Sequence, residues 1–372
     1  MRKPRRLERM DMTFLVLVLS LLTVGLVMLF SASYAYAYYY FDNSFYFISR
    51  QLVFAVGGVA AMFAASFVDY HFFQRFALPL MGISILLLIV VLFLPAQSGV
   101  RRWINVMDIF NFQPSEIAKF AVIVLFSHMI ATNHKRIKSF KYGILPFVVI
   151  LGVVCGLLVL EPHLSGTILV LLLGAIVMLV GGVDIKWFLL AGAAALVLLG
   201  IAIMIPGVIP YAQSRLTSWL DPFADPLGQG FQTIQSLYAI GSGGLLGVGI
   251  GKSRQKYLYL PEVQNDFVFA IVGEELGFVG ATLIIIMFAL LVWRGFVIAA
   301  RAKDRFGMLL AVGLTSQVGL QAFLNIAVVT NTIPNTGISL PFFSYGGTAL
   351  LMLMGEMGVV LSISRHSAVV KE

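Results

Sequence analysis

The sequence predicts an all-α polytopic membrane protein, and three observations carry that prediction. Of its 372 residues, 60% are hydrophobic and only 11% are charged, whereas an ordinary globular domain is about 25% charged. Apolar runs of roughly 18 or more residues recur along the chain, and each is long enough to cross a bilayer as a helix. These runs are continuous rather than alternating, which excludes the strands of a membrane barrel.

Ten such runs predict ten transmembrane helices. A helix is the expected form for each, because a lipid-exposed strand edge would leave main-chain groups without hydrogen bonds. The first run follows a basic start but is longer than a typical signal-peptide core, so we interpret it as an uncleaved span. The predicted spans are 12–33, 50–68, 77–95, 115–132, 143–161, 165–182, 186–206, 266–293, 306–331 and 342–363. All belong to a single integral membrane domain, 1–372, with its largest loop at 207–265.

Lysine and arginine residues are unevenly distributed between the predicted loops, which sets the orientation. With the N-terminus in the cytoplasm, all but eight of the 25 basic residues lie on that side. An even number of spans returns the C-terminus to the same side. The net charge of +8 therefore reflects topology, and we expect no nucleic-acid surface. The eight exceptions are Arg50, Arg101, Arg102, Lys119, Arg215, Lys252, Arg254 and Lys256.

Six of those exceptions lie in two outer loops, 96–114 and 207–265, which indicates an anionic partner such as a diphosphate. Arg101 and Arg102 could clamp that group while Trp103 stacks on a sugar. Alternatively, Trp103 is an interfacial aromatic residue between arginines that bind lipid headgroups. In the fourth span Glu116 and Lys119 share one helical face and can pair. This is either a structural ion pair or part of a site at the outer mouth.

Residues 240–256, "IGSGGLLGVGIGKSRQK", end like a nucleotide-binding phosphate loop. Leu246 stands where that motif requires its first glycine, and the outer loop has no access to cytoplasmic ATP. We hypothesise instead that the segment lies along the membrane surface beside a substrate groove and brings Lys252 and Lys256 to the headgroup region. The alternative is an interfacial segment that does not contact substrate.

Acidic residues gather around the start of the eighth span. Asp266 opens it, Glu262 precedes it, and Glu274 and Glu275 follow within the apolar run. Asp266 could simply cap the helix. Capping does not explain the other three carboxylates at a membrane edge, whereas a pocket that needs a carboxylate does. Asp266 is therefore the candidate general base.

The last outer loop, "NTIPNTGISLPFFSYGGTAL" at 331–350, is rich in Asn, Pro and Gly. Irregular backbone near membrane depth is tolerated where it lines a cavity. Ser344 in this loop could contact a polar headgroup. The alternative is a broken helix packed against its neighbours.

These motifs together resemble one family. "RRWI", "FQPSEIAK", "EPHLSGT", "LPEVQNDFVFAIVGEELG" and "NTGISLPFFSYGGT" are similar to motifs of the SEDS family (shape, elongation, division and sporulation). "EPHLSGT" and "VQND" resemble its FtsW or SpoVE branch more than RodA. The resemblance implies a ten-helix protein of the bacterial cytoplasmic membrane, with both termini cytoplasmic. It also implies an inverting peptidoglycan glycosyltransferase that polymerises lipid II at the outer face.

The resemblance also implies roles for particular residues. It maps the family's essential aspartate to Asp266, and its conserved fourth-span residues to Arg101, Arg102, Trp103, Glu116 and Lys119. Many relatives have an aspartate where this chain has His163, so a catalytic role for that turn is in doubt. A divalent cation, Mg²⁺ or Mn²⁺, could neutralise the leaving diphosphate, and Asp266 could hold it instead of acting as a base.

The implied partners are lipid II, membrane lipids and a class B penicillin-binding protein, because the chain has no transpeptidase domain of its own. Two other functions fit ten helices: a transporter that flips lipid II, and a scaffold that recruits the transpeptidase. A transporter should place its charges near the bilayer midplane, whereas here the unusual charges lie on the outer side. Scaffolding alone does not need Asp266.

Overall fold

The computed structural model describes residues 9–95, 101–106, 110–204 and 210–366, and it forms a helical bundle. An apolar helix lies on each of the ten predicted spans. These ten are α1 (Met12–Phe41), α2 (Tyr46–Phe67), α4 (Ala77–Leu92), α5 (Pro114–Asn133), α6 (Leu145–Leu160), α7 (Leu164–Val180), α8 (Ile185–Met204), α11 (Val268–Ala300), α12 (Arg305–Val329) and α13 (Gly347–Arg365). Three shorter helices join them: α3 (His71–Arg75), α9 (Pro210–Leu220) and α10 (Phe231–Gly243).

By length and composition, six of the described helices are suited to crossing a membrane: α1, α2, α5, α11, α12 and α13. Three other apolar helices, α4, α6 and α7, are shorter, with 16 or 17 residues each. α5, α12 and α13 form the centre of the bundle, and most of each is buried. Less than half of α1, α2 and α11 is fully buried. Their exposed side chains are largely Leu, Val, Ile and Phe, as expected for a surface that faces lipid.

Local sequence signals explain where several helices begin. Asp11 caps α1 by accepting a hydrogen bond from the main-chain N–H of Phe14 at 3.0 Å. Asp304 caps α12 in the same way, through Gly307 at 2.8 Å. Pro114 occupies the first turn of α5, where its missing N–H costs nothing.

The structure corrects the predicted loops in three places. The 96–114 loop includes a short antiparallel hairpin, β1 (Ile104–Val106) and β2 (Phe110–Phe112). The 207–265 loop contains two short helices, α9 and α10. The last helix begins at Gly347 rather than at residue 342. "PFFSY" continues the apolar run but forms a largely buried turn. Its main chain is bound by the carbonyls of Leu340 and Gln264 and by the side chain of Gln51.

α11 is interrupted at Gly277, and the glycine-rich segment within 240–256 supplies hydrogen-bond partners to the main-chain groups on both sides of the interruption. Gly277 has φ of 66° and ψ of −169°, so the helical hydrogen bonds across it are lost. The glycine-rich segment replaces them on both sides of the break. The N–H groups of Phe278 and Val279 donate to Gly244 and Leu245, while those of Val248 and Gly249 donate to the carbonyls of Glu274 and Glu275. The segment is therefore packed against α11 at the break.

Candidate functional site

A cavity of about 710 Å³ opens among the loops at one end of the bundle, a volume typical of small-molecule sites. It is walled by the start of α2, the region of the hairpin, the starts of α5 and α7, and the segments that precede α11 and α13. Distant parts of the chain thus converge here. The predicted site residues that line the cavity are Arg102, Trp103, Glu116, Lys119 and Asp266.

Asp266 lies two residues before α11, outside the spanning segment, on the cavity wall. The residue that caps α11 is Phe267, without a side-chain cap, so the capping alternative for Asp266 is not realised. Gly337 packs against the carboxylate, since a Cβ there would lie 3.2 Å from Oδ2. Burial, followed by the charge of Glu262, raises the pKa of Asp266 to about 6, while Arg215 and Arg102 act to lower it.

Three successive main-chain carbonyls hold the Asp266 segment in place. The carbonyl of Gln264 accepts from the N–H of Tyr345 at 2.7 Å. The next carbonyl, of Asn265, accepts from the hydroxyl of Ser344. The third, of Asp266 itself, accepts from Asn325 Nδ2 at 2.7 Å. The turn before α11 is therefore fixed by the loop before α13 and by α12.

These contacts correct the prediction for Ser344. Its side chain is buried, and its hydroxyl oxygen also accepts from the N–H of Leu340 at 2.8 Å. With both bonds made inside the protein, the hydroxyl does not face a headgroup. Ser344 instead joins two segments of the site.

Two cations lie on the cavity wall near the carboxylates. Lys119 Nζ is 2.8 Å from Glu116 Oε2 across one turn of α5, and the lysine is almost completely buried. The Arg102 guanidinium donates to the main-chain carbonyls of Glu161 and Pro162 in the α6–α7 turn. Arg102 also lines the cavity.

Three other predicted residues do not line the cavity. Arg101 is exposed and donates to the carbonyl of Leu92 at 2.9 Å. Lys252 is exposed. Glu262 is exposed and accepts a hydrogen bond from Asn265 Nδ2 at 2.6 Å. It does not line the cavity, but its negative charge helps to raise the pKa of Asp266.

Lys256 is a correction. Its side chain is 0% exposed, and Nζ lies 2.8 Å from Glu275 Oε1. The ammonium also donates to Ser31 Oγ in α1 at 3.3 Å. A cation enclosed in this way does not reach substrate, so the hypothesis that the glycine-rich segment delivers Lys256 to a headgroup is wrong in this structure.

Glu274 and Glu275 likewise do not belong to the cavity. Glu274 accepts from the Arg254 N–H at 2.8 Å and from the Ser253 hydroxyl. Glu275 accepts from the Ser253 N–H at 3.2 Å and from Ser31 Oγ at 2.6 Å. Both carboxylates anchor the segment after the glycines, and these hydrogen bonds offset the cost of placing two carboxylates in an apolar helix.

Sequence reasoning missed several residues of the wall. Arg50 was recognised as an exceptional cation but was given no role, and it lines the cavity with Gln113. His163 lies there too, and burial, with Arg102 and Lys119, lowers its pKa to about 3. It is therefore neutral and adds no cation. Asn325, which lies behind the wall rather than on it, was also missed, because α12 has several polar residues and the sequence does not distinguish this one.

Comparisons with known proteins place this geometry in context. Residues 12–369 match a family model for FtsW, RodA and SpoVE described as "Cell cycle protein". The chain is 45% identical over 364 residues to "Stage V sporulation protein E" of Bacillus subtilis (strain 168), covering 96% of this chain and 97% of that protein. It is 41% identical over 372 residues to "Probable peptidoglycan glycosyltransferase FtsW" of Geobacter sp. (strain M18), covering 97% and 98%.

Two solved structures share the fold. One, described as "Structural coordination of polymerization and crosslinking by a peptidoglycan synthase complex", superposes with a TM-score of 0.81 at 30% identity over 96% of this chain and 98% of its own. The other is the rod shape determining protein RodA of Thermus thermophilus, with a TM-score of 0.68 at 27% identity over 96% and 97%. The sequence relatives named here are of the SpoVE and FtsW type, as the motifs predicted.

Proposed function

Because the chain belongs to the family of FtsW, RodA and SpoVE, we propose that it is a peptidoglycan glycosyltransferase that polymerises lipid II into glycan strands. Its role is in division or sporulation septum synthesis. The observation that carries the proposal is one cavity whose wall includes the carboxylate of Asp266 and the cations Arg102 and Lys119.

The reaction joins a sugar hydroxyl to a sugar that is linked to a lipid diphosphate. Asp266 takes the proton from the acceptor 4-hydroxyl while the oxygen of that hydroxyl bonds to the anomeric carbon of the donor. The bond from that carbon to the diphosphate breaks, and both electrons leave with the diphosphate. One displacement from an α-linked donor gives a β-linked product, so the configuration inverts.

Each residue meets a requirement of that displacement. A general base is most effective when its pKa lies near the working pH, and burial brings the pKa of Asp266 to about 6. Arg102 and Lys119 compensate the charge that develops on the departing diphosphate. Trp103 on the same wall offers a flat apolar surface to a sugar ring.

Asp266 is also the residue that would hold a divalent cation. Mg²⁺ is commonly bound by one or two carboxylates together with substrate phosphates, and Asp266 can supply one. Among the described residues there is no group of three His, Cys, Asp or Glu that would hold a metal without substrate. Such an ion would neutralise charge on the diphosphate.

The proposal includes an arrangement in the membrane. The ten apolar helices cross the bacterial cytoplasmic membrane, the cavity opens at the outer face, and both termini are cytoplasmic. The loop bias in Lys and Arg supports that orientation. A class B penicillin-binding protein is the proposed partner, supported by the similarity to a synthase complex that couples polymerisation to crosslinking.

The test is polymerisation of lipid II by the purified full chain, with and without the partner. Wild type should make glycan strands, and Asp266→Asn, which has nearly the same shape, should lose about 10²–10⁴-fold in rate while remaining folded. Flipping of labelled lipid II without polymer from either protein would favour the transporter. Polymer made by the partner alone, with no contribution from this chain, would favour the scaffold.

A further inference from the structure

Asn325 is the one described side chain of α12 that binds the main chain of Asp266. It lies in the middle of the bundle, is 0% exposed, and its Nδ2 atom donates twice. One bond goes to the carbonyl of Asp266 and the other to the carbonyl of Ile338, both at 2.7 Å. An amide nitrogen has two hydrogens, so both are used.

The two carbonyls belong to different segments of the cavity wall. Asp266 precedes α11, whereas Ile338 belongs to the loop before α13 and follows Gly337, the glycine that packs against the Asp266 carboxylate. One side chain therefore links the segment that carries the carboxylate to the segment on which the carboxylate rests. The amide orientation is fixed by chemistry, because a carbonyl oxygen in place of Nδ2 would face two acceptors.

We infer that Asn325 is a positioning residue for the transferase reaction: it holds Asp266 at the distance from the acceptor hydroxyl that proton removal needs, without touching substrate. This inference rests on the proposed function. Asn325 does not line the cavity, so its loss leaves the substrate contacts in place. Loss of Asn325 instead shifts the position of the Asp266 carboxylate. A displacement of about 1 Å at a reacting group can cost about 10²-fold in rate.

Asn325→Ala tests this inference in the purified full chain with lipid II. We expect kcat to fall by about 10²-fold while KM changes less than about threefold. Asn325→Asp is the second variant, because it fills the same space but turns an oxygen toward both carbonyls. It should lose at least as much kcat, again at nearly constant KM.

Ser236→Ala is the matched control. The buried Ser236 hydroxyl donates to the carbonyl of Val329 near the end of α12 at 2.8 Å, so this variant also removes a buried side chain to main-chain bond on α12, away from Asp266. Equal thermal stability of the two alanine variants with a much lower kcat only in Asn325→Ala supports positioning. Equal kcat in both would overturn it.

A second measurement separates this inference from the proposed function. The carboxyl infrared band of Asp266, assigned by its loss in Asp266→Asn, is titrated in wild type, Asn325→Ala and Ser236→Ala. Release of the segment in Asn325→Ala should expose the carboxyl and lower its midpoint from about 6 toward about 3.9. If wild type makes no polymer but the midpoint falls only in Asn325→Ala, the function is wrong and the positioning stands. An unchanged midpoint would overturn the positioning.

Discussion

Lys256 Nζ lies 2.8 Å from Glu275 Oε1, and neither side chain is exposed. This pair joins the segment after the glycines to α11, and Ser31 brings α1 into the same contact. The pair is expensive to desolvate but tolerable because both groups have further hydrogen-bond partners. Lys256 therefore has a structural role in this pair, whereas the sequence had predicted that it contacts the substrate headgroup.

Removing one member of this pair should destabilise the protein without affecting substrate affinity. Lys256→Met leaves Glu275 charged and buried, and such losses cost about 3–5 kcal/mol. We expect a lower melting temperature in detergent and an unchanged Kd for lipid II in the folded fraction. Lys303→Gln is the control, because Lys303 is exposed between α11 and α12 and does not line the cavity, so its loss should leave both quantities unchanged. Weaker lipid II binding by folded Lys256→Met would restore the substrate role.

Opposite charges around Asp266 should move its titration in opposite directions. Arg215 lowers the pKa of Asp266 and Glu262 raises it. The base must be ionised to act, so kcat/KM should rise with pH through a midpoint near 6. Arg215→Gln should move this midpoint to higher pH, and Glu262→Gln should move it to lower pH. Full pH profiles of both variants, measured with lipid II at subsaturating concentration, provide the check.

If both substitutions moved the midpoint the same way, or neither did, Asp266 would not be the group that titrates. Asp42→Asn is a suitable control, because Asp42 is exposed at the end of α1 and does not line the cavity. Its profile should match wild type.

Gly277 should be intolerant of any side chain. Its φ of 66° is unfavourable for other residues, and a Cβ there would lie 2.2 Å from the main-chain nitrogen of Gly247. Gly277→Ala should therefore separate the glycine-rich segment from α11, with a fall in melting temperature and in the yield of folded protein. Gly241→Ala in α10 meets nothing within 4 Å, so it should be neutral or stabilising by about 0.5–1 kcal/mol. Equal melting temperatures for the two variants would contradict this account.

The neutral His163 yields a prediction about the cavity wall. Its pKa of about 3 means that it carries no charge during turnover at neutral pH. His163→Gln, which also carries no charge, should therefore keep the salt dependence of lipid II binding, whereas Arg102→Gln should weaken binding and reduce its salt dependence. Binding titrations at several salt concentrations distinguish the two. A reduced salt dependence in His163→Gln would show that the histidine is charged in the site.

The amino-acid pattern was sufficient to predict the membrane class, the positions of the ten apolar helices and the family. These features are local: an apolar run must leave water whatever surrounds it, and residues three apart on a helix meet. The Glu116–Lys119 pair was predictable for that reason. The ends of the helices were less predictable. For example, "PFFSY" is as apolar as α13, which follows it, but it folds as a turn.

Contacts between distant segments were decided only when the helices packed together. Asn325 is 59 residues from Asp266, and Lys256 is 225 residues from Ser31, so no periodicity connects either pair. The same packing decided which of the exceptional cations reach the cavity: Arg102 lines it, while Lys256 is enclosed with Glu275. A charge pattern predicts that an anion is bound on this face, but the partner of each charge depends on which carboxylates and carbonyls the folded chain brings within hydrogen-bond distance.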